Sequence, residues 1–457
     1  MNSNENIKDK KVLVVGMGKS GIAATQAMVK LGAKVSVQDS KPEEQIDPSL
    51  VSYFKGQNVE TYFDCIPDDM GAFDMMILSP GVSPELPFVQ DAEKKGCEIV
   101  GELEIAYRVG QGKYISITGT NGKTTTTTLV GEIFKAAKRK TYVVGNIGVA
   151  VISMALSAEP DSWLVTETSS FQLETTKEFK PEISAILNLT PDHLNRHHTM
   201  ENYGAAKAKT FANQTEDQYV VLNYDDKLCY DLGKTSKAKI VPFSRLTELE
   251  FGAFVKDGKL VIRNEAGELI TLCGTDELQI PGGHNVENAL AAAAISYFAG
   301  IEPEVIASVL RSFMGVEHRI EYVATVDGVR YINDSKGTNP DSTIKAVEAF
   351  SGNIILIAGG YDKGSEFDEL IKHFDGKVKY MMLLGKTAPK IKETAEKLGF
   401  TNNVMCRDMD ECVREAAKLA KPGDIVLLSP ACASWDMYTC FEQRGEHFKK
   451  LVSDLEA

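Results

Sequence analysis

The chain has no Cys-x-x-Cys pair anywhere. Its eight cysteines are scattered, which excludes a local redox or zinc-ribbon motif and suits reduced thiols in a cytosol. The seven histidines share no metal-ligand spacing with them, so no zinc ligand set emerges. No apolar run is long enough to span a bilayer, and the longest helical candidate, 289–299, is short and alanine-rich. Positive charge is in deficit: 50 Lys and Arg stand against 64 Asp and Glu, a net −14 that argues against nucleic acid or an anionic membrane as partner. A local lysine cluster can still meet a phosphorylated substrate within that weak global field. The opening residues Met1-Asn-Ser-Asn-Glu-Asn lack the basic and apolar segments of a secretory signal, so a cytoplasmic location is expected. Repeats and low-complexity segments are missing too.

What is present is an ordinary globular composition, 43 % hydrophobic and 25 % charged, spread over 457 residues. That length is too great for one core and predicts several domains. The central signal is Tyr114-Ile-Ser-Ile-Thr-Gly119-Thr120-Asn121-Gly122-Lys123-Thr124-Thr125, a β-branched apolar run that breaks at glycines and enters a helix with Leu129, Ile133 and Phe134 at helical spacing. Strand, glycine loop and helix in that order form a phosphate cradle. Glycines let backbone N–H groups approach an anion, and the new helix aims its positive end at the same point. Lys123 is placed to neutralise β- and γ-phosphates and the Thr124 hydroxyl to ligate Mg²⁺. The loop departs from the general phosphate-loop pattern, since Ile117 stands five before Gly122 where glycine is usual.

Ahead of it, Lys11 to Val15 opens into Gly16-Met-Gly18-Lys19-Ser20-Gly21, a helix follows, and a second strand ends at Asp39. This glycine fingerprint with a distant acid admits a nicotinamide dinucleotide, another nucleoside diphosphate, or a tight turn without ligand. Ser79-Pro-Gly81-Val-Ser-Pro84 follows the strand Met75 to Leu78, at the end of a strand where α/β folds bind ligands.

Beyond the loop, the strand 163–167 ends in Glu167, an acid placed either to hold Mg²⁺ or to face solvent. The strand Ile183 to Leu187 leads to Asn188-Leu-Thr-Pro-Asp192-His193, where the histidine is a metal ligand, a phosphate ligand or a satisfied surface residue. Residues 201 to 212 read as one helix, and Lys207 and Lys209 on it read as a solvated face. A helix is expected from Glu287 to Phe298, with Asn288 near its start. A hairpin around Asp327-Gly328 opens a third βαβ alternation whose strand-to-helix loops are all polar.

Taken together, Gly119-Thr-Asn-Gly-Lys-Thr124, Glu167-Thr-Ser-Ser-Phe-Gln-Leu173, Asn188-Leu-Thr-Pro-Asp-His193, His318-Arg319, Asn333-Asp-Ser-Lys336 and Ser429-Pro-Ala-Cys-Ala-Ser434 resemble the Mur ligases, across the whole chain. The Ser-Ser-Phe-Gln-Leu and Ser-Pro-Ala-x-Ala-Ser forms point to the branch that adds D-glutamate. Gly337 stands where alanine is common, a departure expected to leave its neighbours' contacts unaffected.

The resemblance implies an α/β fold of three domains: a Rossmann-like substrate domain at 1–112, a central phosphate-loop domain with a parallel sheet at 113–315, and a C-terminal Rossmann-like domain at 316–457. It implies ATP-dependent addition of D-glutamate to UDP-N-acetylmuramoyl-L-alanine through an acyl phosphate, in cytoplasmic peptidoglycan precursor synthesis, by a monomer. Gly18, Lys19, Ser20, Asp39, Ser40, Ser79 and Gly81 would then meet the UDP, and Asn146 the substrate near its reacting carboxylate. ATP would lie on Gly119 to Thr125, with Asn285, Asn288, Arg319 and Asp334 around adenine and ribose. Thr124 and Glu167 would hold one Mg²⁺, and His193 a second together with Lys207 as a CO₂-derived carbamate. Lys336, Thr338, Lys363, Ser434 and the backbone near Phe441 would receive the carboxylates of D-glutamate, and a hinge near 314–318 would close the third domain over the second. Two other readings compete: a folylpolyglutamate synthetase, which has no need of residues 1–110, and a nicotinamide-dependent dehydrogenase or sensor, which leaves Lys123, Glu167 and Lys207 unexplained.

Overall fold

Short β-branched runs become the strands of three sheets in the computed structural model, which describes residues 6–361 and 364–455. In the first, β1 (Lys11–Val15), β2 (Lys34–Asp39), β3 (Glu60–Phe63), β4 (Met75–Leu78) and β5 (Glu98–Gly101) lie in the order β3-β2-β1-β4-β5, all parallel. The near-continuous apolar character of the central β1 and β4 follows from burial on both faces. The strand order reverses between β1 and β4, so the glycine turn after β1 and the Ser79–Gly81 loop after β4 open a crevice together.

The second sheet is built from β6 (Lys113–Thr118), β7 (Thr141–Gly145), β8 (Trp163–Glu167) and β9 (Ile183–Ile186). It continues through β10 (Tyr219–Asn223), β11 (Lys239–Ser244), β12 (Gly252–Lys256), β13 (Lys259–Arg263) and β14 (Leu269–Gly274). Its order is β14-β13-β12-β11-β10-β9-β6-β8-β7, parallel except for the antiparallel β12-β13-β14 edge. The loops after β6 and β9 sit side by side because those strands pair in register from Ile115↔Ile183 to Thr118↔Ile186. Sequence reading places nothing on residues 213–279, where five of these strands lie.

By contacts the chain divides into two units, Met1–Thr275 with Asn288–Leu310, and Asp276–Glu287 with Arg311–Ala457. The first unit holds both of these sheets, and the helix Glu102–Val109 helps join them. The buried Glu104 carboxylate accepts the backbone amides of Lys177 (2.9 Å), Glu178 (2.8 Å) and Phe179 (3.1 Å), and Arg108 Nε at 2.7 Å. Glu102 Oε1 accepts the amide of Ile152 at 2.6 Å. Tyr107, Tyr114 and Phe179 pack edge to face around them at 5.6 Å.

The second unit carries β15 (Glu321–Val326), β16 (Val329–Asn333), β17 (Ile354–Gly359), β18 (Val378–Leu384), β19 (Asn403–Met405) and β20 (Ile425–Leu428) in the order β15-β16-β20-β17-β18-β19. Only the β15-β16 hairpin is antiparallel. Two expected helices shift their ends. The helix expected at 287 begins a turn earlier, spanning Gly283–Phe298, and the single helix expected over 201–212 is an α-helix Met200–Ala208 followed by a 3₁₀ turn.

Candidate functional site

The loop after β6 needs its two glycines. Gly119 adopts φ +148° and Gly122 φ +81°, conformations that other residues reach only with strain. A Cβ on Gly122 would also fall 2.2 Å from Asn288 Oδ1. Asn188 ties the loop down, accepting Asn121 N at 2.8 Å, donating to Asn121 O at 3.1 Å and taking Thr120 N on its own carbonyl at 3.1 Å. Gly122 caps the helix Lys123–Ala136, whose buried face carries Thr124, Thr125, Leu129, Ile133 and Phe134. Lys123 curls back over the loop, donating to the carbonyls of Gly119 (2.9 Å) and Thr120 (2.7 Å). At the base, both oxygens of the buried Glu167 are engaged: Thr124 Oγ1 donates to one and Asn146 Nδ2 to the other, each at 2.8 Å. Asn288 is buried beside the loop and accepts Thr126 Oγ1 at 3.3 Å.

Lys207 overturns the expectation of a solvated face. It is 1 % exposed, donates to the Gly119 carbonyl at 2.8 Å, and lies 4.4 Å over the Tyr203 ring. Burial, reinforced by the charge of Lys123, drives its pKa well below the ordinary lysine range. The helix packs this side against the sheet, whereas Glu201 and Asn202 face water. His193 stands at a left-handed position, φ +54°, with its imidazole 4.7 Å from the Phe171 ring and 3.6 Å from Asp192.

Two residues that sequence reading passes over bind this region together. Arg196 donates to Glu174 (2.7 Å) and to the Val82 carbonyl (3.0 Å) on the loop after β4, and lies over Phe171. His197 is held between Glu174 (3.2 Å) and Ser170 (2.9 Å), and burial keeps its pKa below the ordinary 6.5. Their one sequence signal is the run Asn195-Arg-His-His198, two residues after His193.

In the first sheet's crevice, a cavity of about 700 Å³ is lined by Gly16, Asp39, Ser40, Gly81 and Val82 among others. Asp39 accepts Met17 N (2.6 Å) and Lys41 N (2.9 Å), so its carboxylate is fixed at the rim. The Ser79 hydroxyl is committed to the Gly16 carbonyl at 2.7 Å, and a Cβ on Gly21 would lie 1.8 Å from that same oxygen. Gly18 caps the helix Lys19–Lys30, with Lys19 and Ser20 in its first turn.

The second unit gathers its own polar loops after β16 and β20. Arg444, buried and with its pKa lowered to about 10 by that burial, clamps them. Its guanidinium donates to Ser335 O (2.7 Å), Ser335 Oγ (3.0 Å) and Cys432 O (3.2 Å). Ser335 Oγ in turn donates to the Phe441 carbonyl at 2.8 Å, and the Lys336 ammonium lies 5.2 Å over the Phe441 ring. Thr338 N donates to Lys336 O at 2.9 Å, and Ser434 is buried in the loop after β20. Asp334 accepts Ser429 Oγ at 2.7 Å, and burial raises its pKa to about 6 against the pull of Arg319. Gly337 is less neutral than expected: a Cβ there would fall 2.5 Å from Asp334 Oδ2 and 2.9 Å from Ser429 Oγ, so the glycine admits this close pairing. Asn285 lies in this unit and donates to Pro281 O at 2.7 Å. Lys363 lies outside the described residues.

Three largely parallel sheets, a glycine loop on the second and paired polar loops on the third define a class. The chain belongs to the Mur ligases: residues 10–101 match the MurD-like N-terminal domain, 117–296 the Mur ligase middle domain and 318–432 the Mur ligase glutamate ligase domain. It is 51 % identical to the UDP-N-acetylmuramoylalanine--D-glutamate ligase of Alkaliphilus oremlandii, covering 98 % of this chain and 99 % of that one. With the enzyme of the same name from Clostridioides difficile it shares 48 % identity over 99 % of this chain and 100 % of the other. Among solved structures, the UDP-N-acetylmuramate-alanine ligase of Thermotoga maritima superposes with TM-score 0.61 at 19 % identity, over 97 % of this chain and 99 % of that one. The MurF ligase of the same organism, solved in complex with ADP, gives 0.59 at 17 %, over 99 % and 97 %.

Proposed function

We propose that this chain joins D-glutamate to UDP-N-acetylmuramoyl-L-alanine with hydrolysis of ATP to ADP and phosphate, a step of peptidoglycan synthesis. The observation that carries it is end-to-end identity of about one half with ligases of that name. ATP fits the first unit: its phosphates lie along Gly119 to Thr125, where glycine backbone and Lys123 offer donors, with Asn288 beside the loop. The crevice at Asp39, Ser40 and Gly81 takes the UDP, and Asn146 faces the substrate's reacting end. In the second unit Asn285, Arg319 and Asp334 serve adenine and ribose, and Lys336, Thr338, Lys363, Ser434 and Phe441 serve D-glutamate.

An oxygen of the L-alanyl carboxylate attacks the γ-phosphorus, ADP leaves, and an acyl phosphate remains. The neutral amine of D-glutamate then attacks the acyl carbon, a tetrahedral species forms, and phosphate leaves with the C–O electron pair as the nitrogen sheds its proton. Lys123 stabilises charge on the transferring phosphoryl group, because a fixed cation in a dry site needs no reorganisation. Thr124 Oγ1 and the Glu167 carboxylate, 2.8 Å apart, are the hard oxygen donors Mg²⁺ takes, so the residues fit that ion. Bound there, Mg²⁺ would offset the negative charge that brings a carboxylate and a triphosphate into conflict. Lys207 fits carbamylation, since burial favours its uncharged amine, which can add to CO₂, forming an N–C bond and releasing a proton to leave an anionic oxygen donor. Phosphate-loop and D-glutamate residues belong to different units, and the proposed reaction uses groups from both.

Phosphate release from ATP tests the reading. Turnover is expected only with UDP-N-acetylmuramoyl-L-alanine and D-glutamate together, and not when L-glutamate replaces D-glutamate. Turnover with a folate and L-glutamate instead would overturn it.

A further inference from the structure

We infer that Glu321 is a positioning residue for Arg319, an inference that rests on the reading of Arg319 as an ATP contact. Arg319 sits between two non-glycine residues in left-handed backbone, His318 at φ +63° and Ile320 at φ +47°. Such a turn persists only when its surroundings impose it. Glu321 supplies much of that constraint. Its Oε2 accepts His318 N at 2.9 Å, closing the turn over Arg319, and accepts Asn333 Nδ2 at 2.9 Å. Its Oε1 lies 3.2 Å from Lys449 Nζ. On the far side of the turn Asp334 Oδ1 accepts Ile320 N at 3.3 Å.

The His318 ring locks the same turn from below. Asn333 Nδ2 also lies 2.9 Å from its Nδ1, and the ring is buried against the helix Phe441–Ser453 where Gly445 leaves room: a Cβ there would come within 2.3 Å of Nδ1. Glu317, His318 and Glu446 bring ligand-type atoms within 4.8 Å of one another, the composition of a metal site. Lys449 pairs with both of those glutamates and with Glu321, so an ammonium already balances their charge and the cluster works as a clamp. At the centre of the turn, Arg319 Nε is buried and makes no hydrogen bond among the described residues. A buried donor without a partner is costly, and a ligand group that accepts from it recovers that cost. Glu321 therefore holds the backbone that aims this guanidinium.

The test is steady-state kinetics on full-length variants with thermal unfolding measured alongside. Glu321→Ala is expected to raise the KM for ATP about tenfold while the KM for D-glutamate moves less than about twofold, the scale of one lost polar contact. Glu321→Gln keeps an acceptor for His318 N and should recover most of the ATP affinity. A lowered melting temperature with both KM values unchanged would mean a purely structural role and overturn the inference. Lys449→Met, which removes the cation behind Glu321, gives a second approach should Glu321→Ala fail to fold: a selective rise in ATP KM supports the inference and its absence overturns it. Arg319→Met separates the two claims. If it leaves ATP KM unchanged, the reading of Arg319 itself falls. If it raises ATP KM and Glu321→Ala does not, only the positioning role falls.

Discussion

Lys207 Nζ donates to the carbonyl of Gly119 across 2.8 Å, joining a buried lysine to the first residue of the phosphate loop. The amine is dry, its pKa is pushed well below the usual lysine range, and the loop it touches is the one expected to meet ATP. Enzyme equilibrated with ¹³C-bicarbonate should therefore show a carbamate carbon resonance that is lost in Lys207→Met. A wild-type spectrum without that resonance would leave Lys207 as an unmodified amine.

Gly122 makes the loop possible by conformation and by space at once. Gly122→Ala must place a methyl group 2.2 Å from Asn288 Oδ1 at φ +81°, so the loop or Asn288 has to move. A displacement of that size should lower kcat/KM for ATP by about 10²-fold or more. Phosphate release within about threefold of wild type would show that the loop can shift without loss of function.

Glu102 should make the first unit less stable as pH rises. Burial lifts its pKa from 4.5 to about 7, and the Ile152 amide only partly offsets this. The native carboxyl therefore keeps its proton where the unfolded chain has lost it. Below about pH 4.5 both states are protonated and the effect is absent; between there and about pH 7 stability falls, by roughly 3 kcal/mol at most. Denaturant unfolding from pH 5 to 8.5 should show this slope flattened in Glu102→Gln, and an equal slope in both proteins would refute it.

Closure between the units should be visible in solution. Small-angle scattering with UDP-N-acetylmuramoyl-L-alanine, an unreactive ATP analogue and D-glutamate is expected to give a smaller radius of gyration than the free enzyme. An unchanged radius would remove closure from the reading.

The phosphate loop was legible because Ile117, Gly119, Gly122, Lys123 and Leu129 put a strand, a loop and a helix in an order with one physical purpose. Glu167 was legible for a similar reason, as an acid at the end of an apolar strand. Lys207 was not, because its helix is rich in small residues and lacks a clear apolar stripe, so nothing local separates a buried lysine from a solvated one. Arg444 and Glu104 were invisible for another reason. Each works on backbone far away in the chain, Arg444 on Ser335 and Glu104 on residues 177–179, and long-range hydrogen bonds to main chain leave no pattern in sequence. The antiparallel edge β12-β13-β14 was missed because its runs carry no chemistry to draw attention to them.

The carboxyl groups of Glu104 and Glu102 have one more consequence. By accepting backbone amides of Ile152 and residues 177–179, beside the second sheet, they help make the crevice at Asp39 and the loop at Lys123 parts of one unit. The gap between the two is then a constant, unaffected by any travel of the second unit. A bivalent inhibitor with a uridine-like head and a phosphate-like tail would meet a fixed span, and its affinity should peak sharply at one tether length.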